Sequence, residues 1–361
     1  MARDQHDAVP GSSARARAAD LLLQHLSHHR LRRRRRRHAA GLRSRSHQSL
    51  QRQQRALARS AARRHPASSR RAGLPLRHRA GRRARRALTP VVSLLHALVL
   101  GLVQGLTEFI PVSSSGHLQL VPFVFGWKAP TVAFDVAVHF GTLVAVVYVF
   151  HEEVGRLIRT AVHWRDSSDP EQQLLRLIVI GTIPAVIVGA ALNHWVESVF
   201  QRPVVISLLL GVTGYLLLSA ETKADARKEP ARAIDELTNK DAAIVGGWQA
   251  VAILPGVSRS GATIGGAMRL GIDRGAAARF SFLLSIPVIA GAIVFKLPDM
   301  VHKAGATGVG PFIIGIVASG LSGFVAVKWF LRMIRLKGLR PFGIYCFLAM
   351  VAGLVTALAR G

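Results

Sequence analysis

Acidic side chains are scarce in this 361-residue chain, with 19 Asp and Glu against 48 Lys and Arg. A carboxylate-rich cation buffer is excluded by that balance. There is one cysteine, Cys346, so an intrachain disulfide is excluded and the redox compartment is left open. Methionine is absent between Met1 and Met268. Lysine is absent from residues 1–88, which nevertheless hold 25 Arg and only 3 Asp, a net charge of +22 out of the chain's +29. What is plentiful is apolar sequence. Half the residues are hydrophobic and the mean hydropathy is +0.30, a combination that a nucleic-acid-binding domain or an ordinary soluble enzyme does not carry. The basic character therefore belongs to the tail, and residues 89–361, at +7, read as a membrane-embedded body.

Residues 1–88 are Arg, Ala, His, Ser and Gln, with Arg32 to Arg37 in one block and no sustained apolar period. Such a segment cannot bury enough surface to offset its ordering entropy and is expected to be disordered. Leu21 to Leu23 is too short for a signal peptide's apolar core. A polyarginine run attracts phosphates, in nucleic acid or anionic lipid. Its all-Arg composition is equally what GC-rich DNA upstream of a true start encodes, and a start near Val91 or Val92 would need a non-AUG codon. The second reading is preferred, so the extension is treated as dispensable and no nucleic-acid partner is expected.

From Val91 onward, apolar runs cover about 92–110, 134–150, 174–192, 204–220, 242–256, 280–297, 310–327 and 341–358. A helix needs roughly 20 residues to cross a bilayer. Six runs approach that length. The first and the fifth instead break at Pro111-Val-Ser-Ser-Ser-Gly116 and Pro255-Gly-Val-Ser-Arg-Ser-Gly261, each followed by a second short apolar stretch. The two loops align without a gap at an offset of 145 residues: Gln104 with Gln249, Val112 with Val257, Ser113 with Ser258, Ser115 with Ser260, Gly116 with Gly261, Gly126 with Gly271 and Phe150 with Phe295. The predicted fold is an all-α membrane protein with two copies (91–220 and 242–358) of a broken, re-entrant hairpin followed by three spans. Three is odd, so the second copy enters the membrane upside down, an inverted repeat. The segment Lys328 to Arg340 has five basic residues and no acidic one, which places it in the cytoplasm as a loop. His151 to Gln173 and Glu221 to Asp241 then read as cytoplasmic loops, and Asn193 to Pro203 as external. Irregular backbone at membrane depth is tolerated only inside protein or beside a wet cavity, so the two loops are expected to meet.

Gln104 and Glu108, four apart, share a helix face. Pro111 ends that helix, Ser113, Ser114, Ser115 and Gly116 turn the chain, and His117 opens the next stretch. An ionisable residue at such depth is by default a functional hypothesis. The second loop supplies the opposite charge: Arg259 stands between Ser258 and Ser260, with Thr263 at the start of another helix. A guanidinium, hydroxyls and helix-start N–H groups make a site for phosphate oxygens. Small residues also serve helix packing and a single His is more often structural; two aligned loops of complementary charge favour phosphoryl chemistry. Asp135 and His139, four apart near the start of a span, either line the cavity or cap or pair within the bundle, and the second reading is preferred.

The strings Gln104-Gly-Leu-Thr-Glu108-Phe-Ile-Pro-Val-Ser-Ser-Ser-Gly-His117 and Leu254-Pro-Gly-Val-Ser-Arg-Ser-Gly-Ala-Thr263 resemble the two signatures of the undecaprenyl-diphosphate phosphatase family of the bacitracin-resistance type, over about residues 91–360. The resemblance implies a multi-pass hydrolase of the bacterial cell membrane. Such an enzyme removes the terminal phosphate of a C55 polyprenyl diphosphate, recycles the carrier for peptidoglycan synthesis and confers bacitracin resistance. It implies Ser114 as nucleophile, His117 as its acid/base partner, Glu108 as orienter of His117 or metal ligand, and Arg259 as the diphosphate-binding residue. Gln104, Ser113, Ser115, Ser258, Ser260 and Thr263 would line the substrate. It also implies a divalent cation, magnesium or calcium; the first acidic position of the signature may be Glu or Gln, and with the neutral Gln104 there only one of the two is a carboxylate, so the metal would be held mainly by the diphosphate and Glu108. Membrane lipids are the expected surroundings, and a homodimer is left open. Direct attack by water is the second mechanism, and an inverted-repeat lipid or anion transporter or flippase is the alternative function.

Overall fold

The computed structural model describes residues 93–163, 170–199, 202–304 and 309–360, and of 193–199 and 298–304 the backbone alone. The segment 1–88, with its expected disorder, lies outside the described residues. Among these the chain is all-helical: α1 (Leu94–Phe109), α2 (Ser114–Phe125), α3 (Val132–Val149), α4 (His151–Val162), α5 (Pro170–Val199), α6 (Pro203–Asp225), α7 (Asn239–Val251), α8 (Arg259–Arg269), α9 (Arg274–Ala304), α10 (Val309–Lys337) and α11 (Arg340–Arg360). Six of them, α3, α5, α6, α9, α10 and α11, are long and apolar enough to cross a membrane. They coincide with the six uninterrupted apolar runs. The other two runs became the shorter pairs α1–α2 and α7–α8, each interrupted by its Pro and Ser-Gly loop.

Three segments read as loops are largely helical, and one of them, from Asn193, continues α5 to Val199. His151 onward forms α4, whose apolar residues fall on one face while Glu152, Glu153 and Arg159 take the other, as in a helix lying along a surface. The basic stretch from Lys328 is the end of α10, which continues to Lys337. Cations in a last turn favour the helix dipole, and charge alone does not stop a helix at the membrane edge.

The core runs through the middle of the bundle, where Phe109, Phe280, Phe282 and Phe330 are fully buried with Leu217, Ile264 and Met268. Outward-facing Val179, Ile187, Leu321, Tyr215 and Leu358 are exposed in the isolated chain. An apolar surface this extensive suits lipid rather than water. Packing of the short helices is tight. A Cβ on Gly101 of α1 would sit 2.7 Å from the Gly315 carbonyl oxygen of α10, and one on Gly246 of α7 would sit 2.5 Å from that of Gly181 on α5. Each broken pair is thus held against a long span by backbone contact at glycine.

One polar anchor sets the start of α7. Thr238 caps the helix, and Asp241 takes hydrogen bonds from the Thr238 amide at 2.9 Å and hydroxyl at 2.8 Å and from Arg232 at 2.8 Å. Burial pushes the Asp241 carboxyl up, but the hydrogen bonds from Arg232 and Thr238 outweigh it and hold it below the usual carboxylate range.

Candidate active site

Helix α1 carries Gln104 and Glu108 on its inner face, both buried. The helix ends at Ile110, whose extended backbone precedes Pro111, and the chain then turns sharply through Ser113. Ser113 has φ 71°, the only non-glycine with positive φ among the described residues, and its hydroxyl caps α2 by accepting from the Gly116 amide. Holding a serine there costs of order 1–3 kcal/mol, which surrounding contacts must offset. The second loop is pinned from α6: the Thr213 hydroxyl donates to the Gly256 carbonyl at 2.9 Å and accepts from the Ser258 amide at 3.0 Å. Gly256 has φ 103°, and a Cβ there would lie 2.6 Å from the Ile206 carbonyl, so only glycine fits. Ser258 then caps α8 through the Gly261 amide.

The two loops meet. The Ser260 hydroxyl donates to the Ile110 carbonyl at 3.4 Å, and the Gly256 Cα lies where a Gly116 Cβ would touch it. At the junction Glu108 is the hub. Its Oε2 accepts from the Ser114 hydroxyl at 2.6 Å and from Gln104 Nε2 at 3.0 Å, and its Oε1 accepts from Arg259 Nη2 at 3.1 Å. His139 Nε2 is 3.6 Å from Oε2. Arg259 is steadied from behind by the Ser281 carbonyl, 3.4 Å from Nη1. Removing one partner from a buried ion pair of this kind typically costs about 3–5 kcal/mol, because the other charge is left uncompensated.

Glu108, Ser114, Arg259 and Gln104 are therefore brought together, but His117 is not on Ser114. Its Nδ1 is 2.8 Å from the Ser113 carbonyl and its Nε2 is 2.8 Å from the Tyr345 hydroxyl, with the two rings stacked. The expected orientation of His117 by Glu108 is likewise not what is found, since Glu108 turns toward Ser114 and Arg259. Ser115 lies 3.4 Å from Ser113 and remains half-buried at the junction. Ser258 and Thr263 are spent on structure: Ser258 on the cap, Thr263 on the Arg259 carbonyl at 2.9 Å and the Ser281 hydroxyl at 2.6 Å. His139 Nδ1 is 2.7 Å from the Asp135 carbonyl oxygen, and the contact of its Nε2 with Glu108 brings it to the junction. Tyr345, 228 residues from its partner, was signalled by nothing in the local sequence.

Among the described residues no group of three or more His, Cys, Asp or Glu gathers as a metal site. Gln104 Oε1 is buried without a hydrogen-bond partner, beside Glu108. One carboxylate and one amide oxygen cannot enclose a cation, but they fit as minority ligands to an ion whose other oxygens come from a bound phosphate. The chemical capacity of the junction is thus an anion-binding guanidinium, a hydroxyl held by a carboxylate, and a nearby imidazole.

A model of the family described as Bacitracin resistance protein BacA matches residues 97–352. Curated relatives bear the name undecaprenyl-diphosphatase. That of Pelotomaculum thermopropionicum is 40% identical over 269 residues, covering 74% of this chain and 98% of the relative. That of Gemmatimonas aurantiaca is 40% identical, covering 73% and 98%. The one from Geobacter metallireducens is 40% identical over 259 residues, covering 71% and 95%.

Proposed function

The chain belongs to the bacitracin resistance protein BacA family, and from that premise we infer that it is a multi-pass bacterial membrane hydrolase that removes the terminal phosphate of undecaprenyl diphosphate. The product, undecaprenyl phosphate, re-enters peptidoglycan synthesis, and the activity contributes to bacitracin resistance. The observation that carries the reading is the Glu108 hub, which joins the Ser114 hydroxyl of one loop to the Arg259 guanidinium of the other. An anion carrier needs the arginine but has no use for a hydroxyl held 2.6 Å from a carboxylate. The activity is assigned to residues 89–361, within which the family match falls.

Helix packing supports the inverted-repeat reading. α1 of the first copy lies on α10, the second span of the second copy, and α7 of the second copy lies on α5, the second span of the first. Of the remaining spans, α6 packs on α11, while α3 packs on α9 and more extensively on α10. Gly126 and Gly271, equivalent at the 145-residue offset, both follow a second short helix with positive φ, 68° and 99°. Under the same offset Ser114 and Arg259 are equivalent positions. Each broken pair is then a re-entrant hairpin, and the two approach the shared site from opposite faces of the membrane.

The proposed mechanism follows from the contacts. In the free enzyme Arg259 is neutralised by Glu108. An incoming diphosphate, with more negative charge, takes over the guanidinium in bidentate fashion and releases one carboxylate oxygen. Ser114 attacks the terminal phosphorus and its proton passes to Glu108 Oε2, the acceptor already in contact. The P–O bond to the lipid phosphate breaks, and the leaving group departs as an anion that needs no proton. Water then cleaves the phosphoserine: the Ser114 oxygen leaves with the proton returned by Glu108, and His117 is assigned the proton given up by water. A divalent cation, held by the diphosphate with Glu108 and Gln104 Oε1, would neutralise charge on the transferring group.

The purified protein in detergent should release inorganic phosphate from a polyprenyl diphosphate, and rapid acid quench with terminally labelled substrate should trap label on Ser114. Release of phosphate without a labelled serine would replace the covalent step by direct attack of water. No release at all would remove the assignment.

A further inference from the structure

The mechanism leaves one contact of its own imidazole unused. His117 Nδ1 faces the Ser113 carbonyl, an oxygen that can only accept, so Nδ1 carries the proton. Nε2 is then the lone pair, and it faces the Tyr345 hydroxyl at 2.8 Å. The phenol is the donor. The rings lie nearly parallel, 12° apart with centroids at 5.6 Å, so the same residue fixes both the direction of the lone pair and the plane of the imidazole. Tyr345 sits on α11, in the second copy, whereas His117 opens α2 in the first. No residue within the first hairpin contacts Nε2 in its place.

We propose that Tyr345 is a positioning residue for the reaction, holding His117 as the Nδ1–H tautomer and fixing its ring, with the phenol occupying Nε2 until it is displaced and the lone pair is freed as base. Ser113 serves the same end from the other side. Its carbonyl accepts from both the backbone amide of His117, at 3.1 Å, and Nδ1. The imidazole is therefore gripped at both nitrogens before substrate arrives. When water is deprotonated in the second step, Nε2 takes the proton and the phenol, still protonated, yields its place as donor. The proposal rests on the phosphatase reading, in which His117 acts as base.

The test compares Tyr345→Phe, which keeps the stacked ring, with Tyr345→Leu, which loses it, each in the full chain in detergent. Tyr345→Phe should lower kcat about three- to tenfold, the size of one neutral hydrogen bond, with KM unchanged within about twofold. In a ¹⁵N-histidine-labelled sample, the Nε2 resonance of His117 in the parent should be that of a hydrogen-bonded acceptor with Nδ1 protonated. In Tyr345→Phe that resonance should move toward the value of an unbonded nitrogen. Unchanged kcat in Tyr345→Phe, a rise in KM alone, loss confined to Tyr345→Leu, or an Nε2 signal that does not move would each overturn the proposal. A parent enzyme that releases no phosphate would instead overturn the phosphatase reading, while the nitrogen spectra would still decide whether Tyr345 grips His117.

Discussion

The two broken hairpins share a sequence pattern and divide the chemistry between them. The first carries Glu108, Ser114 and His117; at the equivalent positions the second has Ile253, Arg259 and Ala262. Both are stitched to a long span by glycine contacts, and both begin their second helix with a serine cap. Yet Ser113 is forced to φ 71° and its counterpart Ser258 rests at −71°. The scaffold is repeated, then, while the polar groups and the local strain are not. The positive-φ serine sits in the hairpin that carries His117 and is absent from the one that carries Arg259.

The largest expected effect breaks the division of labour. Arg259→Ala should lower kcat by at least about a thousandfold, the range seen when an arginine that stabilises a transferring phosphoryl group is lost. Arg259→Lys should recover only part of this, because a point charge replaces a planar fork. Phosphate release by Arg259→Ala at near-parent turnover would show that the second hairpin is scaffold alone.

The shared scaffold is probed by paired substitutions. Gly101→Ala and Gly246→Ala should each destabilise by roughly 1–3 kcal/mol, since in both a methyl group would overlap backbone of the crossing span. Thermal unfolding in detergent measures the two falls. If one variant is tolerated and the other is not, the hairpins are not packed alike.

The smallest effect sharpens the contrast in strain. Ser113→Gly relieves a conformation that costs of order 1–3 kcal/mol, against a cap worth a few tenths and about 0.5–1 kcal/mol of added freedom in the unfolded chain, so unfolding temperature should hold or rise. Ser258→Gly has no strain to relieve and should lower stability by about 0.5–1 kcal/mol through the added freedom of the unfolded chain. Equal changes in the two variants would erase the distinction.

Much of this was legible in the chain of letters. The spans appear as runs of apolar residues because lipid on the outside and protein on the inside both select them, and six such runs became six long helices. The loops were visible because Pro111, Gly256 and the serines break helices wherever they stand. What stayed hidden was partnership across distance. Glu108 and Arg259 were placed at one site, but their direct contact, and the choice of Glu108 rather than His117 as the acceptor for Ser114, depend on where two loops settle in space. Tyr345 was invisible for the same reason: a phenol on an apolar span has no period or spacing that announces its partner. Helix α4 was missed because its charge density reads as a loop, although its apolar residues return at helical spacing.

The contact between Ser260 and the Ile110 carbonyl, together with the equivalence of Ser114 and Arg259, bears on why both copies lie in one polypeptide. Two identical half-length chains assembled about a dyad would place the same residue at both central positions. The centre would then hold two hydroxyls without a cation, or two guanidinium groups repelling one another. In the inverted-repeat reading, covalent fusion lets unlike residues occupy symmetry-related places in a fixed one-to-one ratio.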